Sequence, residues 1–315
     1  MQSPSERPRT GVSTEAELWL RANPPAGRST IDDQNAELVR AAVREGWEPS
    51  MAAARAEFAV RENVLEINGV ECLEVTPASG VVGRGTVLYF FGGGHTVGSP
   101  EEDIVISAPL AALAGVRVIA PRYPLAPEHP YPAAVSCAEM VYRALLDDTD
   151  PAQLVVAGES AGGNLALALF QRARSARLSM PAGFVLLSPW ADMGFTGDSH
   201  ITNRDPFLAM TDNVLLEMAA RYRGDTPIDD PLISPIHADF TGLPPTLITT
   251  GTRDLLLSDA VRLDTAMRID GVDVTLRVWE GMWHVFEFYR EVPEARASMA
   301  EIANFVADQF ASSAI

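Results

Sequence analysis

The sequence predicts an α/β protein with a mostly parallel central sheet, helices on both faces of the sheet and a helical cap. Short apolar runs, each of strand length, alternate along the chain with longer segments of helical periodicity. The runs are apolar at consecutive rather than alternate positions, which is typical of strands buried on both faces. Together these two patterns favour a parallel sheet enclosed between helical layers.

The first 60 residues show no strand pattern. Residues 1–12 are polar and contain proline, whereas residues 14–60 place Leu18, Leu38 and Trp47 among charged residues at helical spacing. We therefore predict an N-terminal helical cap region over residues 1–60, followed by the main domain over residues 61–315.

The main domain begins with a predicted hairpin. Val64–Ile67 and Glu71–Val75 flank Asn68-Gly69, a strong signal for a two-residue turn. Six buried strands are predicted after it, at Thr86–Phe91, Val116–Ala120, Leu154–Ala157, Phe184–Leu187, Thr246–Thr249 and Val274–Trp279. Helical patterns separate or follow these strands near residues 102–114, 133–147, 161–177, 258–270 and 294–310.

One interval, from Met193 to Arg223, is too long for a simple connection between strands and contains the helical segment Asp212–Arg221. In open parallel sheets, ligands bind at the carboxyl ends of the strands. A cap insertion at about residues 193–223 is therefore predicted to lie above that edge, together with the N-terminal helices.

The segment Gly158-Glu-Ser160-Ala-Gly162 joins a predicted strand to a predicted helix. Side chains at Gly158 and Gly162 would collide with the neighbouring strand and helix. The sharp turn lifts the hydroxyl of Ser160 out of the sheet, at a helix N-terminus whose amides can stabilise an oxyanion. The pattern predicts the nucleophile elbow of an α/β-hydrolase fold, with Ser160 as the nucleophile.

A serine hydroxyl needs a base to take its proton and a carboxylate to orient that base. In this fold the three follow the chain order serine, acid, histidine. Asp254 follows the strand Thr246–Thr249, and His284 follows the last strand. Of the five histidines, only His284 satisfies both order and position; the others are His95, His129, His200 and His237. Asp259 is expected to brace a helix or loop instead.

The glycine run Gly92-Gly93-Gly94 follows an early strand, where backbone amides can turn toward the elbow without obstruction by side chains. This position is the one an oxyanion hole requires, so we predict that the run supplies amides to it.

Composition excludes several functions. The net charge of −18 opposes binding to nucleic acid or to anionic membranes. All 24 basic residues are arginine, which rules out mechanisms based on a Schiff-base or P-loop lysine. Two cysteines provide neither a disulfide framework nor a metal cluster, and we expect no metal or cofactor. The polar N-terminus and the lack of a long apolar stretch predict a cytoplasmic protein without a membrane span.

In combination, these motifs resemble the hormone-sensitive-lipase family of α/β-hydrolases, in particular bacterial carboxylesterases of the alpha/beta hydrolase fold-3 type. The resemblance covers roughly residues 60–310, and further matches are Tyr123–Ala134, Ser234-Pro235, Leu243–Pro245, Asp254–Asp259 and Gly281–His284. It implies Ser160 as nucleophile, His284 as base and Asp254 as the orienting acid. It also implies that the amides of Gly93, Gly94 and Ala161 bind the oxyanion.

The chain departs from the family at the glycine motif. The family's motif normally begins with a histidine that braces the oxyanion loop, and an aromatic or apolar residue usually follows the glycines. Here Phe91 holds the histidine's place and His95 follows the glycines. We expect His95 to brace the loop or to line the pocket rather than to lie exposed.

These observations predict a serine carboxylesterase that hydrolyses small to medium acyl esters or lactones through a Ser-His-Asp triad and an acyl-enzyme. One alternative is an amide or carbamate hydrolase that uses the same triad. Another is a non-catalytic ligand-binding member of the fold, although such proteins lose a triad residue and none is lost here.

The last predicted strand, residues 274–279, alternates Thr275 and Arg277 with apolar residues and is expected at a sheet edge. Since an exposed edge invites pairing with a second copy, and the family resemblance also suggests a dimer, a homodimer through this strand is predicted.

Overall fold

The computed structural model describes residues 11–22, 31–32, 34–81, 85–203 and 212–312. Among them, eight strands form one sheet in the order β1-β2-β4-β3-β5-β6-β7-β8. Their bounds are β1 Val60–Ile67, β2 Val70–Pro77, β3 Thr86–Phe90, β4 Arg117–Pro121, β5 Leu154–Glu159, β6 Gly183–Leu187, β7 Thr246–Gly251 and β8 Val274–Trp279. β2 pairs antiparallel with β1 and β4, and the other neighbours pair parallel.

The α-helices occupy the connections between strands and the N-terminal region. Their bounds are α1 Thr14–Ala22, α2 Ala36–Glu57, α3 Ile104–Ala114, α4 Ala133–Asp148, α5 Ala161–Ser175, α6 Ser199–Thr202, α7 Asp212–Arg223, α8 Leu257–Ile269 and α9 Pro293–Ser312. The predicted alternation of strands and helices is confirmed, and so is the hairpin turn at Asn68-Gly69.

The first hairpin strand starts earlier than predicted, at Val60 rather than Val64. Arg61, Glu62 and Asn63 are exposed on this strand, which forms one edge of the sheet. Because these residues lie at a solvent-exposed edge, they form no apolar run. Hydrophobicity therefore could not reveal the first residues of this strand.

Strands β3, β5, β6 and β7 are buried along their whole length, which explains their nearly continuous apolar sequences. Because these strands run parallel, their carboxyl ends meet at one edge of the sheet. The glycine run follows β3, Ser160 follows β5, Asp254 follows β7, and His284 follows β8. The fold therefore brings together segments that are far apart in sequence.

Strand β8 forms the other edge of the sheet, as predicted, with Thr275, Arg277 and Val278 exposed. The homodimer through this strand stays a prediction, as does the cytoplasmic location. In the parts of the chain that the structure describes, no helix combines the length and apolarity that a membrane span requires. The division into a cap and a main domain also stays a prediction; residues 1–10, 23–30, 33 and 204–211 of its cap segments lie outside the described residues.

Candidate active site

The elbow holds Ser160 in an unusual backbone conformation, with φ +52° and ψ −117°. Non-glycine residues rarely adopt this region, and it persists only where the surroundings enforce it. Here the Ser160 amide donates to the carbonyl of Leu187, and the Ser160 carbonyl accepts from the Trp190 amide, at 2.9 and 3.0 Å. These bonds fix the serine between β5 and the segment after β6.

The two elbow glycines are required by close approach. A Cβ atom on Gly162 would lie 2.0 Å from the carbonyl oxygen of Phe90, and one on Gly158 would lie 2.3 Å from that of Gly162. Any side chain at either position would push helix α5 away from β3 and β5, which would displace Ser160.

Three predicted residues meet at the carboxyl edge of the sheet. Nε2 of His284 lies 3.0 Å from Oγ of Ser160, and Nδ1 of the same ring lies 3.0 Å from Oδ1 of Asp254. The side chain of His284 is 14% exposed and that of Asp254 is fully buried. The imidazole can therefore accept the serine proton while its other nitrogen donates to the carboxylate.

The carboxylate of Asp254 is surrounded by donors. Oδ2 accepts from the Thr250 hydroxyl at 3.0 Å, and Oδ1 accepts from the Leu256 amide at 2.9 Å. Burial on its own raises the pKa of Asp254. The attraction of His284 and the hydrogen bonds from His284, Ser188 and Leu256 outweigh burial, so the pKa is lowered from its ordinary value. Asp254 is thus held as an anion beside the imidazole.

His200 and Asp259 form a second histidine–aspartate pair, which does not reach Ser160. Oδ1 of Asp259 is 3.0 Å from Nε2 of His200, and its Oδ2 accepts from the amides of Ala191 and Asp192 at 2.9 Å. Asp259 therefore ties helices α6 and α8 to the segment after β6. It braces loops, as the sequence led us to expect.

The glycine run forms a tight loop above the elbow. Gly93 and Gly94 have φ of +92° and +63°, and a Cβ on Gly93 would lie 2.3 Å from the carbonyl oxygen of Val97. The Gly93 carbonyl accepts from the amides of Thr96 and Val97, which closes the turn. Within the described part of the chain, no backbone carbonyl outside the helices and strands accepts a hydrogen bond from the amides of Gly93, Gly94 or Ala161.

Phe91 and His95 pack into this loop from two directions. The ring of Phe91 stacks on Tyr123 with centroids 4.1 Å apart, and the Tyr123 hydroxyl donates to the Phe91 carbonyl at 2.6 Å. His95 is fully buried and stacks on Tyr222 of α7 with centroids 3.7 Å apart. Neither side chain lines the cavity at Ser160. Both contacts tie the loop that contains the glycine run to its surroundings.

The imidazole of His95 is neutral at physiological pH. Burial lowers its pKa to about 3, opposed only by an interaction with Asn164. No described residue forms a hydrogen bond of good geometry with either ring nitrogen. His95 therefore acts through packing and cannot serve as a proton carrier at the reacting centre.

A small cavity of about 70 Å³ opens in front of Ser160, and we call it the Ser160 cavity. Its apolar wall combines Val43 and Trp47 of α2 with Leu215 and Met218 of α7, and Phe288 closes one side. Its polar wall contains Glu102, Asp103 and Glu159. Glu159 lies inside the serine motif, whereas the other wall residues belong to no motif and come together only through the fold.

The described residues include no cluster of three or more histidine, cysteine, aspartate or glutamate side chains placed to hold a metal ion.

This geometry is that of an α/β-hydrolase, and comparison with known proteins gives the same class. Residues 87–288 match the family model described as alpha/beta hydrolase fold. The chain belongs to this family, and its neighbours among solved structures are esterases of the bacterial hormone-sensitive-lipase family. One such esterase superposes with a TM-score of 0.85 at 34% identity, over 96% of this chain and 100% of the other.

Similar curated proteins narrow the class to carboxylic-ester hydrolases. An acetyl-hydrolase of Streptomyces hygroscopicus is 40% identical over 223 residues, which are 70% of this chain and 75% of the relative. An esterase of Acinetobacter venetianus is 35% identical over 222 residues, 70% of this chain and 73% of the relative. The chain is accordingly a carboxylic-ester hydrolase of the α/β-hydrolase fold.

Proposed function

We propose that this protein is a serine esterase that hydrolyses short-acyl carboxylic esters, acetate esters foremost, through a covalent acyl-enzyme. The observation that carries the proposal is the continuous chain from Ser160 through His284 to the buried Asp254, with Gly93 and Gly94 lining the same cavity as Ser160. A nucleophile, an oriented base and an oxyanion site are the parts that acyl transfer needs.

In the first half of the reaction, Oγ of Ser160 attacks the ester carbonyl carbon while Nε2 of His284 takes the hydroxyl proton. The carbonyl oxygen becomes an oxyanion and accepts hydrogen bonds from the amides of Gly93, Gly94 and Ala161. As the tetrahedral intermediate collapses, the C–O bond to the alcohol breaks, and His284 donates its proton to the departing alkoxide. The product is an acyl group on Ser160 and a free alcohol.

In the second half, His284 takes a proton from a water molecule that attacks the acyl carbon. A second oxyanion forms in the same hole. Its collapse breaks the bond to Oγ of Ser160, and His284 returns the proton to the serine. Asp254 keeps Nδ1 of His284 as the donor throughout, and its negative charge stabilises the imidazolium that forms in each half.

The dimensions of the Ser160 cavity favour a short acyl group. A cavity of about 70 Å³ leaves little room for an acyl chain beside Ser160. Met218 restricts it next to the oxyanion loop, since its sulfur would lie 2.2 Å from a Cβ on Gly94. The name of the Streptomyces hygroscopicus relative, an acetyl-hydrolase, supports the same substrate class.

Hydrolysis of p-nitrophenyl acetate, butyrate and octanoate would test the proposal. We expect kcat/KM to be highest for acetate or butyrate and to fall for octanoate, because the longer chain exceeds the cavity. Ser160→Ala should lower kcat by about 10⁴–10⁶-fold, as the loss of a triad nucleophile does in other hydrolases.

Ser175→Ala is a matched control, because Ser175 is an exposed serine at the end of α5 and its exchange should leave turnover unchanged. Mass spectrometry after treatment with a phosphonate ester should place the adduct on the peptide that contains Ser160. Turnover that survives in Ser160→Ala, or an adduct on another residue, would contradict the proposal.

A further inference from the structure

Two buried carboxyl groups lie directly beneath the oxyanion loop, and the reaction proposed above uses neither. Glu159 precedes the nucleophile and is 3% exposed; Asp103 precedes α3 and is 7% exposed. Both line the Ser160 cavity, and their carboxyl groups interact with each other. Two buried carboxylates side by side repel each other, and neither has a hydrogen atom to donate, so the pair is stabilised when it holds one proton.

The groups around the pair determine how tightly this proton is held. The groups that face it are Tyr89 of β3, Tyr123 after β4 and Glu102 beside α3, with Arg44 of α2 lying 3.6 Å from Glu102. The Tyr89 hydroxyl donates to Oδ2 of Asp103 at 2.7 Å.

Burial raises the pKa of Asp103 to about 7. The negative charge of Glu102 acts in the same direction, whereas the hydrogen bonds with Tyr89 and Glu159 oppose it. A buried carboxyl group beside other carboxyl groups is neutral over a wider pH range than an exposed one.

The pair is in contact with the loop that binds the oxyanion. A Cβ on Gly92 would lie 2.0 Å from Oε1 and 2.4 Å from Oε2 of Glu159, so the carboxyl group packs against the backbone at Gly92. Asp103 and Glu159 also line the Ser160 cavity together with Gly93 and Gly94. A change in the charge or spacing of the pair therefore acts on the position of the oxyanion amides and on the field around them.

We propose that Asp103 and Glu159 share one proton in the active enzyme and act as positioning residues for the oxyanion loop, so that loss of this proton lowers turnover. Without the proton, the two carboxylates repel each other beneath Gly92, and a second negative charge lies near the developing oxyanion. This inference rests on the proposed esterase function. Its consequence is a fall of kcat as the pH rises through the neutral range, separate from the acid limb that protonation of His284 produces.

The first test is the pH dependence of kcat for p-nitrophenyl acetate in Asp103→Asn. Asparagine keeps the size of aspartate, donates to Glu159 through its amide and accepts from Tyr89, but it has no proton to lose. We expect the alkaline limb to disappear and the acid limb to remain.

A second variant moves the same limb in a defined direction. Tyr89→Phe removes the hydroxyl that stabilises the charged form of Asp103, so the proton is held more tightly and the alkaline limb shifts to higher pH. A role of the pair in packing alone would change activity by one factor at every pH and would leave the limb where it is.

Glu139→Gln is the matched control for exchange of an acid for its amide. Glu139 pairs with Arg143 and Arg172 and does not line the Ser160 cavity, so the pH profile should be that of the wild type. An infrared difference spectrum of wild type minus Asp103→Asn at pH 6 should contain the band of a protonated carboxyl group.

The outcomes separate this inference from the proposed function. A wild-type profile that is flat from pH 6 to 9, an alkaline limb retained in Asp103→Asn, or a difference spectrum without the carboxyl band would overturn the shared proton. Turnover that survives in Ser160→Ala would overturn the esterase mechanism instead, and the infrared result would still report on the pair.

Discussion

Buried carboxyl groups lie on both sides of Ser160, and their pKa values are shifted in opposite directions. On one side, Asp254 accepts hydrogen bonds from His284, Thr250 and a backbone amide, and its pKa is lowered. On the other side, Asp103 accepts from Tyr89 but faces a second carboxyl group, and its pKa is raised to about 7. Burial is common to both, so it is the surrounding donors that decide the charge.

Asp254→Asn acts on the first of these two sides, and we expect it to have the largest effect on kcat. Asparagine presents an amide where the carboxylate was, so the imidazole loses its anionic partner and its orienting acceptor. We expect kcat to fall by about 10³–10⁴-fold with little change in KM, as loss of the orienting acid does in other serine hydrolases. Steady-state kinetics on p-nitrophenyl acetate would measure this.

Asp259→Asn is the control for Asp254→Asn, because it exchanges another buried aspartate in the same part of the chain. Asp259 is as buried as Asp254, but it pairs with His200 and two backbone amides. Its exchange should lower the free energy of unfolding and leave kcat of the folded enzyme within about tenfold of wild type. Equal losses of kcat in the two variants would refute the assignment of Asp254 as the orienting acid.

The comparison also explains how much could be predicted from sequence. On the Asp254 side, the fold puts serine, acid and histidine after strands β5, β7 and β8, so chain order and strand ends were sufficient to select Ser160, Asp254 and His284. The structure brings these three within hydrogen-bond distance. Their catalytic roles stay proposals until the variants are measured.

On the oxyanion side, the contacts that matter cross between elements distant in sequence. Asp103 belongs to the acidic run Glu101–Asp103, which reads as the start of a helix, and nothing in the sequence indicates that it meets Glu159. His95 was expected to brace the loop or line the pocket. Its stack on Tyr222 of α7, more than a hundred residues away, could be seen only in the fold.

Gly92→Ala should specifically disturb the side of Ser160 on which Asp103 and Glu159 lie. The backbone of Gly92 does not have the positive φ of Gly93 and Gly94, so alanine is allowed there, but its Cβ would meet the Glu159 carboxyl group. We expect kcat to fall by about tenfold to a hundredfold, because strain of about 1–3 kcal/mol is relieved by movement of the loop. Stopped-flow or steady-state turnover of p-nitrophenyl acetate would measure this change in kcat.

Shortening the opposing side chain should restore part of the loss, so the double variant Gly92→Ala with Glu159→Asp is predicted to be more active than Gly92→Ala alone. Gly46→Ala, at an exposed position of α2 where a Cβ meets nothing within 4 Å, controls for the loss of glycine and should leave kcat unchanged. If Gly92→Ala had wild-type kcat, the contact between Glu159 and the oxyanion loop would not matter for turnover.

His95→Asn should change the pH dependence of the free energy of unfolding rather than the rate of turnover. In the unfolded chain a histidine gains a proton below about pH 6.5, whereas buried His95 stays neutral until about pH 3. The stability that this group contributes is therefore complete above pH 6.5 and is lost progressively as the pH falls. At pH 5 the loss amounts to about 2 kcal/mol. Asparagine tolerates the positive φ of +58° at this position and has no such titration.

Urea unfolding of wild type and His95→Asn at pH 7.5 and pH 5 would measure this effect. We expect the stability difference between them to shrink by about 2 kcal/mol at the lower pH, since only the wild type carries the penalty. Phe91→Leu, which removes the stack on Tyr123 in the same loop without a titrating group, should cost the same at both pH values. A difference between wild type and His95→Asn that is constant with pH would mean that His95 takes up a proton at pH 5 in the folded enzyme as it does in the unfolded chain. The oxyanion loop would then contain a cation at that pH, and the contrast with the Asp254 side would rest on the Asp103–Glu159 pair alone.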